Sequence, residues 1–206
     1  MATTPKTAAE LFSAIPTPRD TRERILYTAL DLFHAHGFHA VGLDRILAAV
    51  GVTKTTFYNH FESRDDLIVQ AITVRDEWDS AAFERRLHEL AGYAPRDLLL
   101  AMFDVLDEWF THADFRGCIF LHACAEFPSP TDPVHCAAAK YYAISEQTVA
   151  QMAAAAGVPN PQAFAQEWTV LLQGAITRRM TTGDDQAARV ARRVAERLLA
   201  AAVPAG

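Results

Sequence analysis

Apolar residues recur at helical spacing along most of the 206-residue chain, and the breaks between these stripes predict about nine helices. Ile25, Leu26, Ala29, Leu30 and Phe33 form the first stripe, over about residues 20–36. Asp20 and Glu23 have capping-box spacing at its start, Gly37 ends it, and Phe38 returns to the core. Leu43, Ile46 and Leu47 mark a second helix over 43–50, closed at Gly51, where a left-handed backbone angle ends a helix. Val52 closes the elbow, and Thr53 is a good N-cap for a third helix from Lys54 to Phe61. Phe57 and Phe61, four apart, face inward and leave Lys54, Thr55, Thr56, Tyr58, Asn59 and His60 to face outward. Ser63 and Asp66 repeat the capping-box spacing. Leu67, Ile68, Ala71, Ile72 and Trp78 then carry a fourth helix into the 80s.

Beyond a break at Gly92–Pro95, further apolar runs predict helices over 97–110, 118–127, 135–155, 162–179 and 185–203. The proline-rich loop 127–133, the GVPNP stretch at 157–161 and the TTGDD stretch separate them. Residues 1–19 mix Thr, Pro, Ala and Lys and read as a flexible arm, within which AAELFSAI has the pattern of a brief turn. Lys6, Arg19, Arg22 and Arg24 make this end basic. That suits either a plain tail or an arm touching a phosphate backbone or minor groove.

The second and third helices have helix-turn-helix spacing. The outward face of the third offers hydroxyls, an amide, an imidazole and an ammonium, the groups that DNA contact needs. Lys54 and Thr55 stand at its N-terminal end, where base edges are nearest in such docking, and Asn59 reaches a base or the groove wall. Thr53, Thr56, Tyr58 and His60 suit phosphate. Gly42 caps the second helix without a side chain, so a phosphate contact there falls to backbone N–H groups or to Arg45. Asp44 beside acidic DNA helps only if it caps the helix or accepts from a cytosine amino group.

Charge sharpens this division. The formal net charge is −6, which does not suggest a non-specific coat for nucleic acid. Residues 1–66 are near neutral, with 7 basic and 8 acidic side chains, whereas residues 67–160 carry 6 basic and 13 acidic. DNA binding then relies on a few placed contacts and on two copies of the module. Half the residues are apolar, enough for a core and an oligomer interface. The 3 cysteines, Cys118, Cys124 and Cys136, make no CxxC pair, which fits a reducing cytoplasm. No apolar run is long enough for a membrane span, and the N-terminus lacks the apolar core of a signal peptide.

Phe33, Gly37, the string AVGVTKTTFYNHF from Ala49, and Ser63, Arg64, Asp65, Asp66 and Leu67 together resemble the TetR/AcrR family of transcriptional regulators, over roughly residues 21–72. Val41 and Gly42 depart from it, standing where the family usually has Ser or Thr. The string from Gly117 to Phe127 also resembles one branch of the family's C-terminal domains. The resemblance implies an all-α fold: a three-helix DNA-binding module over 20–66, joined to a helical ligand-binding and dimerisation bundle over 67–203. It implies a DNA-backbone contact for the Tyr58 hydroxyl and a phosphate contact for Arg64, where the family usually has Lys. It implies a homodimer through about residues 162–200 on a palindromic operator, and repression relieved by a small-molecule effector. An activator, or a ligand-independent repressor of the same fold, is the alternative.

Candidates for an effector site lie among the middle helices: Trp109, Phe110, Phe115, Phe120, His122, Glu126, Tyr141 and Trp168. His122 and Glu126 are four apart and share a helix face. No cofactor is expected, and no metal either: His34, His36 and His39 have ordinary spacing and no Cys support. No catalytic motif is visible. Cys118, His122 and Glu126 stack along one helix face, an arrangement that rarely aims at a common substrate atom.

Overall fold

The computed structural model describes residues 15–203. Within them the chain forms nine helices and no strand: α1 (Thr21–His36), α2 (Leu43–Val50), α3 (Lys54–Tyr58), α4 (Arg64–Ala91), α5 (Pro95–Phe110), α6 (Ile119–Glu126), α7 (Pro133–Ala155), α8 (Pro161–Thr182) and α9 (Ala187–Ala202). Most of the arm expected over residues 1–19, including Lys6 and nearly all of the AAELFSAI stretch, lies outside the described residues. The backbone divides into two compact units, neither continuous in sequence. One holds residues 15–78 and Cys118–Tyr141, the other Asp79–Gly117 and 142–203. Helices α4 and α7 each contribute to both.

In the first unit the local signals act as their chemistry predicts. Asp20 caps α1 by accepting from the Glu23 N–H at 2.8 Å. Glu23 in turn accepts from the Arg19 N–H at 2.7 Å and from its guanidinium, and these hydrogen bonds hold its carboxyl at about 2. The stripe from Ile25 to Phe33 is buried and packs α1 on α2. Ser63 caps α4 by accepting from the Asp66 N–H, and Asp66 accepts back from the Glu62 N–H, both at 3.0 Å. Leu67, Ile68, Ala71 and Ile72 are then wholly buried, while Trp78 meets the edge of Tyr27 with ring centres 4.9 Å apart. The α3 helix ends at Tyr58 rather than Phe61. The Phe61 N–H still donates to the Phe57 carbonyl, which keeps both rings inside and stacked at 5.5 Å.

In the second unit α9 packs on both α5 and α8, and α5 touches α8. The side chains α9 buries are small: Ala187, Ala188, Ala191 and Ala195, with Leu199 as the large one. Small residues bring the helix close and leave the filling to its neighbours. Trp168 of α8 is one of these neighbours, wholly buried, stacked on Phe164 at 5.0 Å and edge-on to Phe103 at 5.3 Å. Each wholly buried Phe or Leu here contributes about 1.5–3 kcal/mol. Ion pairs flank the seam, Arg189 with Asp107 and Arg192 with Asp104, both at 2.9 Å.

Candidate nucleic-acid interface

The candidate surface is built on a short elbow. Gly51 adopts φ 76°, a left-handed conformation that costs a glycine little, and its N–H donates to the Leu47 carbonyl at 2.9 Å. The chain leaves α2 there and re-enters a helix at Thr53, whose hydroxyl accepts from the Thr56 N–H at 3.2 Å and meets the Thr56 hydroxyl at 3.0 Å. Phe57 is wholly buried beneath α3, so the remaining positions are forced outward. Lys54, Thr55, Tyr58, Asn59 and His60 are exposed, Tyr58 at 58% with its ring edge against Phe57. Arg45 is exposed on α2. Of the nine residues singled out for DNA, seven therefore present exposed side chains, and Thr56 is half-buried.

Arg64 is placed differently. Its Nε donates to the Val41 carbonyl at 3.0 Å, Nη2 donates to the Phe38 carbonyl, and the guanidinium lies over the Phe33 ring at 5.7 Å. Only Nη1 points elsewhere, towards Asp65 at 3.4 Å. The side chain therefore pins the turn between α1 and α2, and little of its fork is left for a phosphate.

One contact on this surface was not legible in the chain. Lys54 Nζ lies 2.9 Å from Asp44 Oδ1, and the carboxylate raises the lysine's proton affinity by hydrogen bond and charge. Asp44 caps nothing, since Gly42 is the N-cap of α2 and no side chain bonds there.

The eight effector candidates separate into two groups of four. In the second unit Trp109, Phe110 and Phe115 form one aromatic cluster, with ring centres 4.9 to 5.8 Å apart. Arg179 caps it, its guanidinium 4.6 Å from the Phe115 centroid and its Nε donating to the Phe110 carbonyl at 3.0 Å. Nothing local in the sequence marked Arg179, because its partners are a ring and a carbonyl far along the chain. Trp168 of the same unit lies in the core described above, its Nε1 buried with no hydrogen-bond partner among the described residues.

In the first unit Phe120 stacks on Tyr141 at 3.9 Å. His122 is half-buried, and loss of solvent lowers its pKa against the opposing pull of Glu126. The Glu126 carboxylate itself is engaged by the backbone N–H groups of Phe38 and His39. Among the described residues no group of three or more His, Cys, Asp or Glu side chains is arranged to hold a metal ion, and no helix is long and apolar enough to cross a membrane.

A buried Phe57 beneath an exposed polar helix, set at an elbow on a three-helix module, defines a helix-turn-helix protein of the DNA-binding regulator class. Comparison with known proteins agrees. The family model described as bacterial regulatory proteins, tetR family, matches residues 25–71, and that of the tetracyclin repressor-like C-terminal domain matches residues 95–195. The chain belongs to the TetR family of transcriptional regulators. A crystal structure of a TetR-family transcriptional regulator from Streptomyces coelicolor is similar, at 28% identity and a TM-score of 0.82, over 94% of this chain and 99% of that one. A putative TetR transcriptional regulator from Streptomyces avermitilis shares 26% identity at a TM-score of 0.78, over 89% and 98%. The HTH-type transcriptional repressor NemR of Escherichia coli is 32% identical over 114 residues, which are 53% of this chain; the match spans about half of that relative's length, 55%.

Proposed function

We propose that the protein is a homodimeric, cytoplasmic repressor that binds a palindromic operator and is released by a small molecule. In this reading residues 20–66 are the DNA-binding domain, and residues 67–203 carry effector binding and dimerisation. The observation that carries it is the outer face of α3 and the turn that follows it, where Lys54, Thr55, Tyr58, Asn59 and His60 stand exposed above a wholly buried Phe57. Lys54, Thr55 and Asn59 read bases, while Arg45, Thr53, Thr56, Tyr58 and His60 set the register on phosphates. The work is binding rather than catalysis.

The second copy docks through α8 and α9. Gln166, Glu167, Val170, Leu171, Val194 and Leu198 line an open groove of about 440 Å³ there, and Val170 is 67% exposed. Two helices from each subunit suit a four-helix contact. The dimer sets the separation of the two readers, which must match whole turns of B-DNA, about 34–36 Å each.

The effector is a partly apolar molecule, with the half-buried rings of Trp109 and Phe115 as its proposed contacts. It releases DNA only if it binds the released form more tightly, because equal affinity shifts no equilibrium. The test is selection from random duplexes with the full-length protein, followed by operator affinity across a metabolite and drug collection. Enrichment of a palindrome that one compound class releases is the expected result. If no compound changes affinity and deleting the gene lowers target expression, the repressor reading fails.

A further inference from the structure

The contact between Asp44 and Lys54 asks for a function. Asp44 is the second residue of α2 and Lys54 the first of α3, and the turn at Gly51 brings them together at 2.9 Å. Both side chains stay open to solvent, Asp44 at 80% and Lys54 at 62%. An exposed pair of this kind adds little to stability. Capping does not account for the carboxylate either, since Gly42 holds that position. Its place in the first turn of α2 suits a negative charge but does not account for the ammonium beside it. Together the two set a donor and an acceptor side by side on the exposed surface shared by α2 and α3.

A carboxylate brought to DNA is repelled by phosphate unless it finds a donor on a base. In the major groove those donors are the amino groups of cytosine N4 and adenine N6. An ammonium seeks acceptors, and guanine presents two adjacent ones, N7 and O6, immediately beside the cytosine N4 of its own pair. A·T offers its acceptors on either side of the adenine amino group and adds the thymine methyl, so an ammonium tied to the carboxylate meets one acceptor at a time. The order acceptor, acceptor, donor along a G·C edge is the complement of Lys54 and Asp44 together. Resting on the DNA-binding reading, we propose that Asp44 is a specificity residue: it accepts from cytosine N4 while Lys54 donates to guanine N7 and O6 of the same base pair.

The pair also carries no net charge into the groove. Removing Asp44 frees the ammonium for any phosphate, so discrimination falls while general affinity and its salt dependence rise.

The test compares full-length wild type with Asp44→Ala by selection from random duplexes, then by anisotropy titration on the recovered site and on copies with single base pairs exchanged. For wild type, exchanging one G·C pair per half-site for A·T lowers affinity about tenfold or more. For Asp44→Ala that ratio shrinks several-fold, to what Lys54 on guanine supplies alone, every other position keeps its preference, and binding to unrelated duplex strengthens. Two results overturn the proposal: an unchanged G·C preference in Asp44→Ala, or a loss of preference at every position, which would make Asp44 a support of the module instead. A wild type that enriches no duplex fails differently, removing the DNA-binding reading itself. Asp44 is exposed, so matching thermal unfolding midpoints check that the variant is folded.

Discussion

Glu126 grips the backbone of Phe38: its Oε1 accepts from the Phe38 N–H at 2.9 Å, while Oε2 accepts from the His39 N–H at 2.7 Å. His39 Nε2 lies 2.8 Å from the Glu126 carbonyl, completing a two-way clasp between the end of α6 and the turn after α1. Gly37 makes room for it. It adopts φ 86°, and a Cβ there would stand 3.0 Å from the carboxylate. Replacing Glu126 by Ala leaves the buried Phe38 N–H without its acceptor, at a cost of about 1–3 kcal/mol, while the exposed His39 N–H turns to water. At ~2–4 °C per kcal/mol for a chain of this size, the unfolding midpoint drops by several degrees. Glu126→Gln retains an acceptor and loses less. Calorimetry checks both, and an unchanged midpoint in Glu126→Ala contradicts the clasp.

Arg64 acts as a pin. Arg64→Lys keeps the charge but replaces a fork bonded to two carbonyls with a single ammonium. The expected outcome is a loss of roughly 1–3 kcal/mol in stability, with the salt dependence of DNA binding unchanged. A variant that unfolds like wild type yet binds DNA with a shallower salt slope would return Arg64 to phosphate contact.

His122 couples stability to pH. Desolvation lowers its pKa in the folded chain, with Glu126 opposing, so the folded form resists protonation more than the unfolded one. For a base shifted in this direction the contribution is fully present above its ordinary value, about 6.5. It is lost as pH falls below that value towards the lowered one, because the unfolded state takes the proton first. Between pH 8 and pH 5.5 the unfolding midpoint of His122→Gln should therefore fall less steeply than that of wild type. Parallel slopes in differential scanning fluorimetry would show that His122 carries none of the dependence.

Val170 and Val194 line the open groove on α8 and α9. Changing both to Glu places charge on a surface proposed to meet its own copy, and light scattering at tens of micromolar should shift from dimer to monomer. Operator affinity should fall with it, because the second half-site is no longer bound at high effective concentration. A variant that remains dimeric locates the interface elsewhere.

Much of this protein is written in local chemistry. The N-caps Asp20 and Ser63, the turn at Gly51 and the stripe Leu67–Ile72 each involve residues a few positions apart and form as their patterns dictate, although Glu23 and Asp66 accept from the N–H of the residue before the cap instead of from the cap itself. The exposed face of α3 follows from the same spacing, since burying Phe57 and Phe61 leaves its neighbours no inward direction. Tertiary structure decided what the long, charged side chains do. Arg64 turns to the carbonyls of Val41 and Phe38, Arg179 to that of Phe110, and Glu126 to two N–H groups far back along the chain. Backbone donors and acceptors are the same at every residue, so no pattern in the sequence marks which of them a distant side chain will find. The meeting of Asp44 and Lys54 depends likewise on the angle of one elbow, and only the folded chain sets that angle.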